Sequence, residues 1–214
     1  MNPRIESGTR AMLALREQRL AAGEEPLGWK VGFGSAASFA RLGTDRPLPG
    51  FLLRSGQLPD GATVDISSWT NPHLELEVAA HIGDDLTIAG VGSAIELVDT
   101  TPVTTDLDVI LGGNIYHRHV LLGPVDSGKR DGAGVTARLL KDGQEIARAD
   151  DPQGTTGEIV AVVAGIRELL QRCGADFRPG DVIITGSAFP PVPVTPGDYT
   201  TELPPLTPLR VVLR

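Results

Sequence analysis

Cysteine is almost absent from this chain of 214 residues, where Cys173 stands alone. A single thiol excludes an intramolecular disulfide framework and a cysteine-built zinc site, and it fits a reducing compartment. Long apolar runs are also missing. None approaches the ~20 residues that cross a bilayer, and Met1-Asn2-Pro3-Arg4-Ile5-Glu6 carries no apolar stretch of a secretory leader. A cytoplasmic protein with no membrane partner is the expectation. Basic clusters are lacking too, with 19 Lys and Arg against 27 Asp and Glu and a formal charge of −8. Nucleic acid is therefore excluded as a partner, because binding phosphates requires clustered cations. Aromatic residues make up only 4% of the chain, while glycine (26) and proline (17) are plentiful. That balance favours short elements joined by tight turns over a helix bundle.

The length suits one domain, 1–214. Apolar residues at helical spacing (Met12, Leu13, Leu15, Leu20) predict an N-terminal helix at about 5–23, with Gly23 as its stop. Leu27 to Phe33 alternates like a strand, and Ser35 is placed to cap a short helix ending at Leu42. The clearest strand runs from His73 to Ile82. Leu74, Leu76, Val78 and Ala80 share one parity, and His73, Glu75, Glu77 and His81 share the other. Ser93–Val98 and His119–Leu122 read as further strands, and Lys141-Asp142-Gly143-Gln144 as the turn of a hairpin. Thr155 or Thr156 is expected to cap a long helix through Leu170, ended by Gly174. Val182–Ile184 and Leu209–Leu213 close the chain as strands around a proline-rich loop. The fold class is α+β, rich in short strands, with two main helices packed outside.

Glu75-Leu76-Glu77 puts two carboxylates on one strand face, with alpha carbons roughly 6.6 Å apart. Such a pair repels unless a cation intervenes, and carboxylate oxygens suit hard divalent ions. Glu96 is the natural third ligand, since it stands mid-strand among apolar neighbours where an unpaired charge is costly. The plain reading of the pair is a charged, solvated strand face. Lysine is scarce (Lys30, Lys129, Lys141), and Lys30 lies between Gly28 and Gly32 on its strand face. Missing side chains on both sides leave room beside the ammonium, where partial desolvation would lower its pKa. A lysine pointing into water is the plain alternative. Thr185-Gly186-Ser187 ends a strand in small residues able to hold a carboxylate by hydrogen bonds. No Gly-x-Ser-x-Gly elbow, metalloprotease histidine pair or complete dinucleotide loop is present.

In this order the pieces resemble the fumarylacetoacetate hydrolase superfamily, in its 2-keto-4-pentenoate hydratase and 2-oxo-acid decarboxylase branch. The resemblance runs from about Leu27 to the C-terminus. It rests on Gly28-Trp29-Lys30-Val31-Gly32, Leu42-Gly43 with Pro47, Glu75-Leu76-Glu77, Glu96 with Asp99, Asn114 before Leu122-Gly123, Gly180-Asp181 through Gly186-Ser187, and Pro193-Val194-Thr195-Pro196-Gly197-Asp198. Where hydratases carry Pro-Asp-Phe-Gly, this chain reads Pro47-Leu48-Pro49-Gly50, so a second acid/base partner is missing.

The resemblance implies a mixed β-sheet roll, a homodimer or larger homo-oligomer, and Mg2+ or Mn2+ held by Glu75, Glu77 and Glu96. It implies a lyase that hydrates a 2-hydroxy-2,4-dienoate, or another small 2-oxo acid, through a metal-stabilised enolate. Lys30 would carry the proton, and Gly186, Ser187 and Asn114 would bind substrate. Acylpyruvate-type cleavage and 2-oxo-acid decarboxylation reach the same enolate. Hydrolysis would need a base, with His117 and His119 as candidates. A metal- or ligand-binding relative without turnover is a further alternative, as is a structural β-domain with surface carboxylates. On the sequence reading, Lys30→Met removes the proton carrier while leaving fold and metal affinity intact.

Overall fold

The computed structural model describes residues 2–214. Its first half runs α1 (Pro3–Ala21), β1 (Pro26–Gly32), α2 (Ala36–Leu42), β2 (Leu48–Leu53), β3 (Gln57–Leu58), β4 (Thr63–Val64), β5 (Pro72–Ile82) and β6 (Ile88–Asp99). Next come α3 (Leu107–Gly112), β7 (His117–Leu122), the hairpin β8 (Ala137–Lys141) and β9 (Gln144–Ala149), α4 (Gln153–Thr156) and α5 (Ile159–Arg172). The chain closes with β10 (Val182–Ser187), β11 (Val192–Pro193), β12 (Gly197–Glu202) and β13 (Leu209–Leu213). No described helix is long and apolar enough to cross a membrane.

Two curled, mixed sheets result. The larger has the order β2-β1-β10-β5-β6-β7-β3, with β11 also paired to β5, and the smaller has β4-β13-β12-β8-β9. β1 lies parallel to β10, which follows it by about 150 residues, while β5 pairs antiparallel with both β10 and β6. The even-parity face of β5 (Leu74, Leu76, Val78, Ala80) enters one apolar cluster with Tyr199, Leu209 and Val211 of the smaller sheet and Ile159, Val163 and Ile166 of α5. The strand-rich α+β class expected from the residues, and the mixed-sheet roll that the resemblance implies, are the architecture found. The odd-parity face of β5 carries the ionisable groups.

Three local expectations are corrected. The buried side of α1 is Ile5, Gly8, Thr9, Met12 and Arg16, while Leu13, Leu15 and Leu20 are only partly buried. The reason is a close crossing: an added Cβ on Gly8 would lie 2.4 Å from Leu111 of α3. Thr155 and Thr156 belong to α4 and do not cap the long helix. Gly157 turns the chain at φ 95°, and α5 starts after Glu158. Gly197–Glu202, which falls within the expected proline-rich loop, is β12, where Tyr199 and Thr201 face the core.

Close backbone approach at the β1–β10 pair sets a local requirement for glycine. A Cβ on Gly28 would sit 2.0 Å from the Val182 carbonyl oxygen, at φ +152°. Gly28→Ala is expected to destabilise the fold by at least the ~1–3 kcal/mol typical of overpacking. Gly165→Ala is the control, since nothing lies within 4 Å of its added Cβ in α5. A gain of about 0.4–1 kcal/mol is expected there. Urea unfolding midpoints of the two variants should therefore move in opposite directions, and equal shifts would contradict the packing argument.

Candidate metal centre and its cavity

Register brings the carboxylates together. Glu75 stands directly opposite Glu96 in the β5–β6 pair, and Glu77 follows two residues later on the same face. One oxygen from each can be chosen so that all three lie within 4.8 Å of one another. Glu77 and Glu96 are fully buried, and Glu75 is partly buried. Like charges in that position destabilise a strand pair unless something compensates them.

Part of the compensation comes from β1. The Lys30 ammonium, 1% exposed, donates to Glu96 Oε1 and to the Ile115 carbonyl at 3.1 Å. His117 Nδ1 reaches the same Glu96 oxygen at 2.7 Å. The β10 strand loses register between Ile184 and Ser187, which frees the Gly186 N–H to donate to Glu77 Oε2 at 2.6 Å. Irregular pairing of this kind commonly re-aims groups next to functional sites. The other oxygens, Glu77 Oε1 and Glu96 Oε2, are buried without a hydrogen-bond partner. Buried carboxylate oxygens of that sort need a cation or a proton. The donor set, three carboxylates converging with open oxygens, therefore fits a hard divalent ion.

The titration behaviour follows the same geometry. Burial, then the Glu96 charge, raises Glu75 to about 7 despite opposition from Lys30. Burial together with Glu96 and Glu75 pushes Glu77 well above the ordinary carboxylate value. Burial also pushes Glu96 upward, but Lys30 and His117 outweigh it and hold that group low.

The surroundings of Lys30 differ from the sequence expectation. Gly28 and Gly32 do not leave open space beside the ammonium, because their absent side chains admit the Val182 backbone and the Ile115 side chain. Room for the lysine stem comes from Gly50 on the neighbouring β2, where a Cβ would lie 2.7 Å from Lys30 Cγ. The ammonium is ion-paired with Glu96, so Lys30→Met is not a neutral change. It removes the buried partner of a buried charge.

A cavity of about 610 Å³ opens beside the cluster, and Lys30, His73, Glu75, Gly186 and Ser187 line it. Ser187 Oγ is buried with no partner, as suits a group awaiting a ligand. Gly186 differs, because its N–H is already engaged by Glu77. Asn114 does not line the cavity. Its amide accepts from Phe51 N–H at 2.8 Å and donates to Phe51 C=O at 2.9 Å, tying β2 to a turn in which Asn114, Ile115 and Tyr116 all have positive φ. Its part is to hold that turn, which aims the Ile115 carbonyl at Lys30. His117 orients Glu96, and His119 stacks on Trp69 at 6.1 Å, so neither lies on the cavity wall as a water-activating base. Leu48, at the position of the missing acid, is fully buried in an apolar cluster with Ile5, Leu111, Ile115 and Leu169. The sequence reading missed His73 as a cavity residue, although it shares parity with Glu75.

No family model matches the chain. It is 26% identical over 202 residues to 4-oxalocrotonate decarboxylase of Pseudomonas sp. (strain CF600), covering 87% of this chain and 76% of that protein. It is 29% identical over 204 residues to 2-keto-4-pentenoate hydratase 1 of Dechloromonas aromatica (strain RCB), covering 84% and 74%. Its fold matches that of 4-oxalocrotonate decarboxylase from Pseudomonas putida G7, solved with calcium and acetate, at a TM-score of 0.86 and 23% identity over 95% of this chain and 83% of the other. The chain is thus similar in sequence to 4-oxalocrotonate decarboxylases and 2-keto-4-pentenoate hydratases and shares the fold of the former. Those two enzyme types differ in the bond they break, so the likeness alone does not choose between them.

The raised carboxyls dictate a pH response. Without metal, the folded chain holds protons on Glu75 and Glu77 that the unfolded chain releases near its ordinary carboxylate value, so their contribution favours the folded state at low pH and fades as pH rises through about 7. A divalent ion competes with those protons. The melting-temperature gain from Mg2+ should therefore grow between about pH 5.5 and about pH 8. Glu75→Gln/Glu77→Gln should abolish it, and a gain independent of pH would count against this site. Lys30→Met should destabilise the metal-free protein by about 3–5 kcal/mol, the scale of breaking a buried pair. Saturating Mg2+ should restore much of that loss.

Proposed function

We propose that this protein is a divalent-metal-dependent lyase that hydrates a 2-hydroxy-2,4-dienoate, the enol form of a small 2-oxo acid. The observation that carries the reading is the convergence of Glu75, Glu77 and Glu96, with two unpartnered buried oxygens, beside a cavity that also presents Lys30 and Ser187. The hydratase relatives support it. Glu75, Glu77 and Glu96 are the ligands in this proposal, and Mg2+ or Mn2+ is the ion. The related decarboxylase structures hold calcium or magnesium. When bound there, the ion would supply Lewis acidity toward the substrate carboxylate and 2-oxo oxygen.

The chain's own groups perform the remaining work. Lys30 has three donors, two of them engaged by Glu96 and Ile115, which leaves one N–H for the cavity it lines. From there it moves a proton to or from the substrate carbon chain, while the Ser187 hydroxyl and nearby backbone hold the carboxylate. The triple left-handed turn at Asn114–Tyr116 fixes Lys30 through the Ile115 carbonyl, so the proton carrier is positioned before substrate arrives. With Leu48 in the apolar core, His73 is a further group on the cavity wall suited to proton transfer. A homodimer or larger homo-oligomer remains part of the proposal.

Loss of the dienoate chromophore in the ultraviolet, with Mg2+ present, tests the reaction directly. Wild type should consume 2-hydroxypenta-2,4-dienoate, and Lys30→Met, kept folded by saturating Mg2+, should be slower by about 10²–10⁴-fold. Release of CO2 from a 2-oxo diacid without hydration would move the assignment to decarboxylation. Full activity in Lys30→Met would remove Lys30 from the chemistry.

A further inference from the structure

Two donors converge on one oxygen of Glu96. Lys30 Nζ and His117 Nδ1 both reach Oε1, the second at 2.7 Å, while Oε2 is buried without a partner. An ion-paired carboxylate only accepts hydrogen bonds, so His117 Nδ1 carries the hydrogen of its contact. A carboxylate oxygen has two lone pairs, and the two donors take up both of those on Oε1. The imidazole, 8% exposed, is committed to this contact. Its other nitrogen, Nε2, is buried beside Gly56, where an added Cβ would lie 3.4 Å away, and has no hydrogen-bond partner among the described residues. Lys30 by itself would leave Oε1 one lone pair, because the ammonium is tied on its other side to the Ile115 carbonyl. Both oxygens of Glu96 would then be free to turn toward one ion. Ca2+ accepts that arrangement, since it takes roughly six to eight oxygens in flexible geometry with carboxylates mono- or bidentate, whereas Mg2+ demands near-octahedral single-oxygen ligation.

We infer that His117 is a positioning residue that confines Glu96 to a single coordinating oxygen, Oε2, and so makes the carboxylate cluster favour Mg2+ over Ca2+. This rests on the metal reading of Glu75, Glu77 and Glu96, and it specifies which ion that site selects and through which side chain. His117 acts through Glu96 and takes no part in proton transfer. On the other buried carboxylate a backbone group does similar work: the Gly186 N–H engages Glu77 Oε2 and leaves Oε1 open. A backbone donor survives side-chain substitution, so His117 is the point at which the restriction can be lifted.

Calorimetric titration of Mg2+ and of Ca2+ into the metal-free protein tests the inference without turnover. The readout is the ratio of the two dissociation constants, which a general loosening of the structure would not move in favour of one ion. Wild type should bind Mg2+ more tightly than Ca2+. His117→Phe keeps a flat ring and removes the donor, and it should weaken Mg2+ binding by about tenfold, the scale of losing a hydrogen bond that orients a metal ligand, with a smaller effect on Ca2+. His117→Ala should shift the ratio in the same direction, which keeps the test open if the phenylalanine variant fails to fold. His117→Asn, whose side-chain amide offers an N–H close to the place of Nδ1, should recover part of the ratio. A ratio left at the wild-type value in the folded donor-less variants, or equal binding of the two ions by wild type, overturns the role of His117 while leaving the cluster as a metal site. Failure of wild type to bind either ion overturns the metal reading together with it.

Discussion

Repulsion among three carboxylates on two adjacent strands is the constraint around which the remainder of this molecule is arranged. Glu75 and Glu96 face each other across the β5–β6 pair and Glu77 lies beside them, and three surrounding strands contribute compensation. β1 brings Lys30, β7 brings His117, and β10 breaks its register to present the Gly186 N–H. The compensation is incomplete. Two buried oxygens remain without partners, and Glu75 and Glu77 retain protons to higher pH than ordinary carboxylates. An arrangement with that residual charge is stable because a large apolar core lies on the opposite face of the same strands.

Backbone strain concentrates around the same centre. Asn114, Ile115 and Tyr116 occupy the left-handed region in succession, and Phe33 does so at the end of β1. Such conformations cost on the order of 1–3 kcal/mol each and persist only when the surroundings over-determine them. Here the surroundings can be named: the Asn114 amide clamps both backbone groups of Phe51, and the Ile115 side chain packs where Gly32 has none. The strained turn yields one carbonyl directed at one ammonium.

The sequence revealed the parts of the site that depend on periodicity. Alternation along His73–Ile82 put Glu75 and Glu77 on one face, and a charged residue amid an apolar strand singled out Glu96, because both signals are local. The fold class and most strands were legible for the same reason. Lys30 was identified, but its setting was misread. Its real neighbours come from Gly50 across a strand pair and from Ile115 and Glu96 far along the chain, none of which its own flanking glycines disclose. Gly186 and Asn114 were chosen as ligand-binding groups, whereas long-range register engages the first with Glu77 and packing engages the second with Phe51. Apolar spacing disclosed α1 as a helix, but hydrophobicity alone does not show that Gly8 permits a close helix crossing.

Leu48, where the resemblance implies an acid, serves the same centre as an apolar residue. An acid at that position would lie in the cluster formed by Ile5, Leu107, Leu111, Ile115 and Leu169, and would need a counter-charge of its own. The leucine needs none, and it packs in one cluster with Ile115, whose carbonyl holds Lys30 and whose side chain fills the place left by Gly32. Apolar packing thus reaches the ammonium through one residue, and the position of Lys30 depends on core packing as well as on its ion pair. With no carboxylate added at residue 48, the single cation from β1 is not divided among further anions. Lys30 keeps Glu96 as its one carboxylate partner, and its remaining N–H stays available to the cavity.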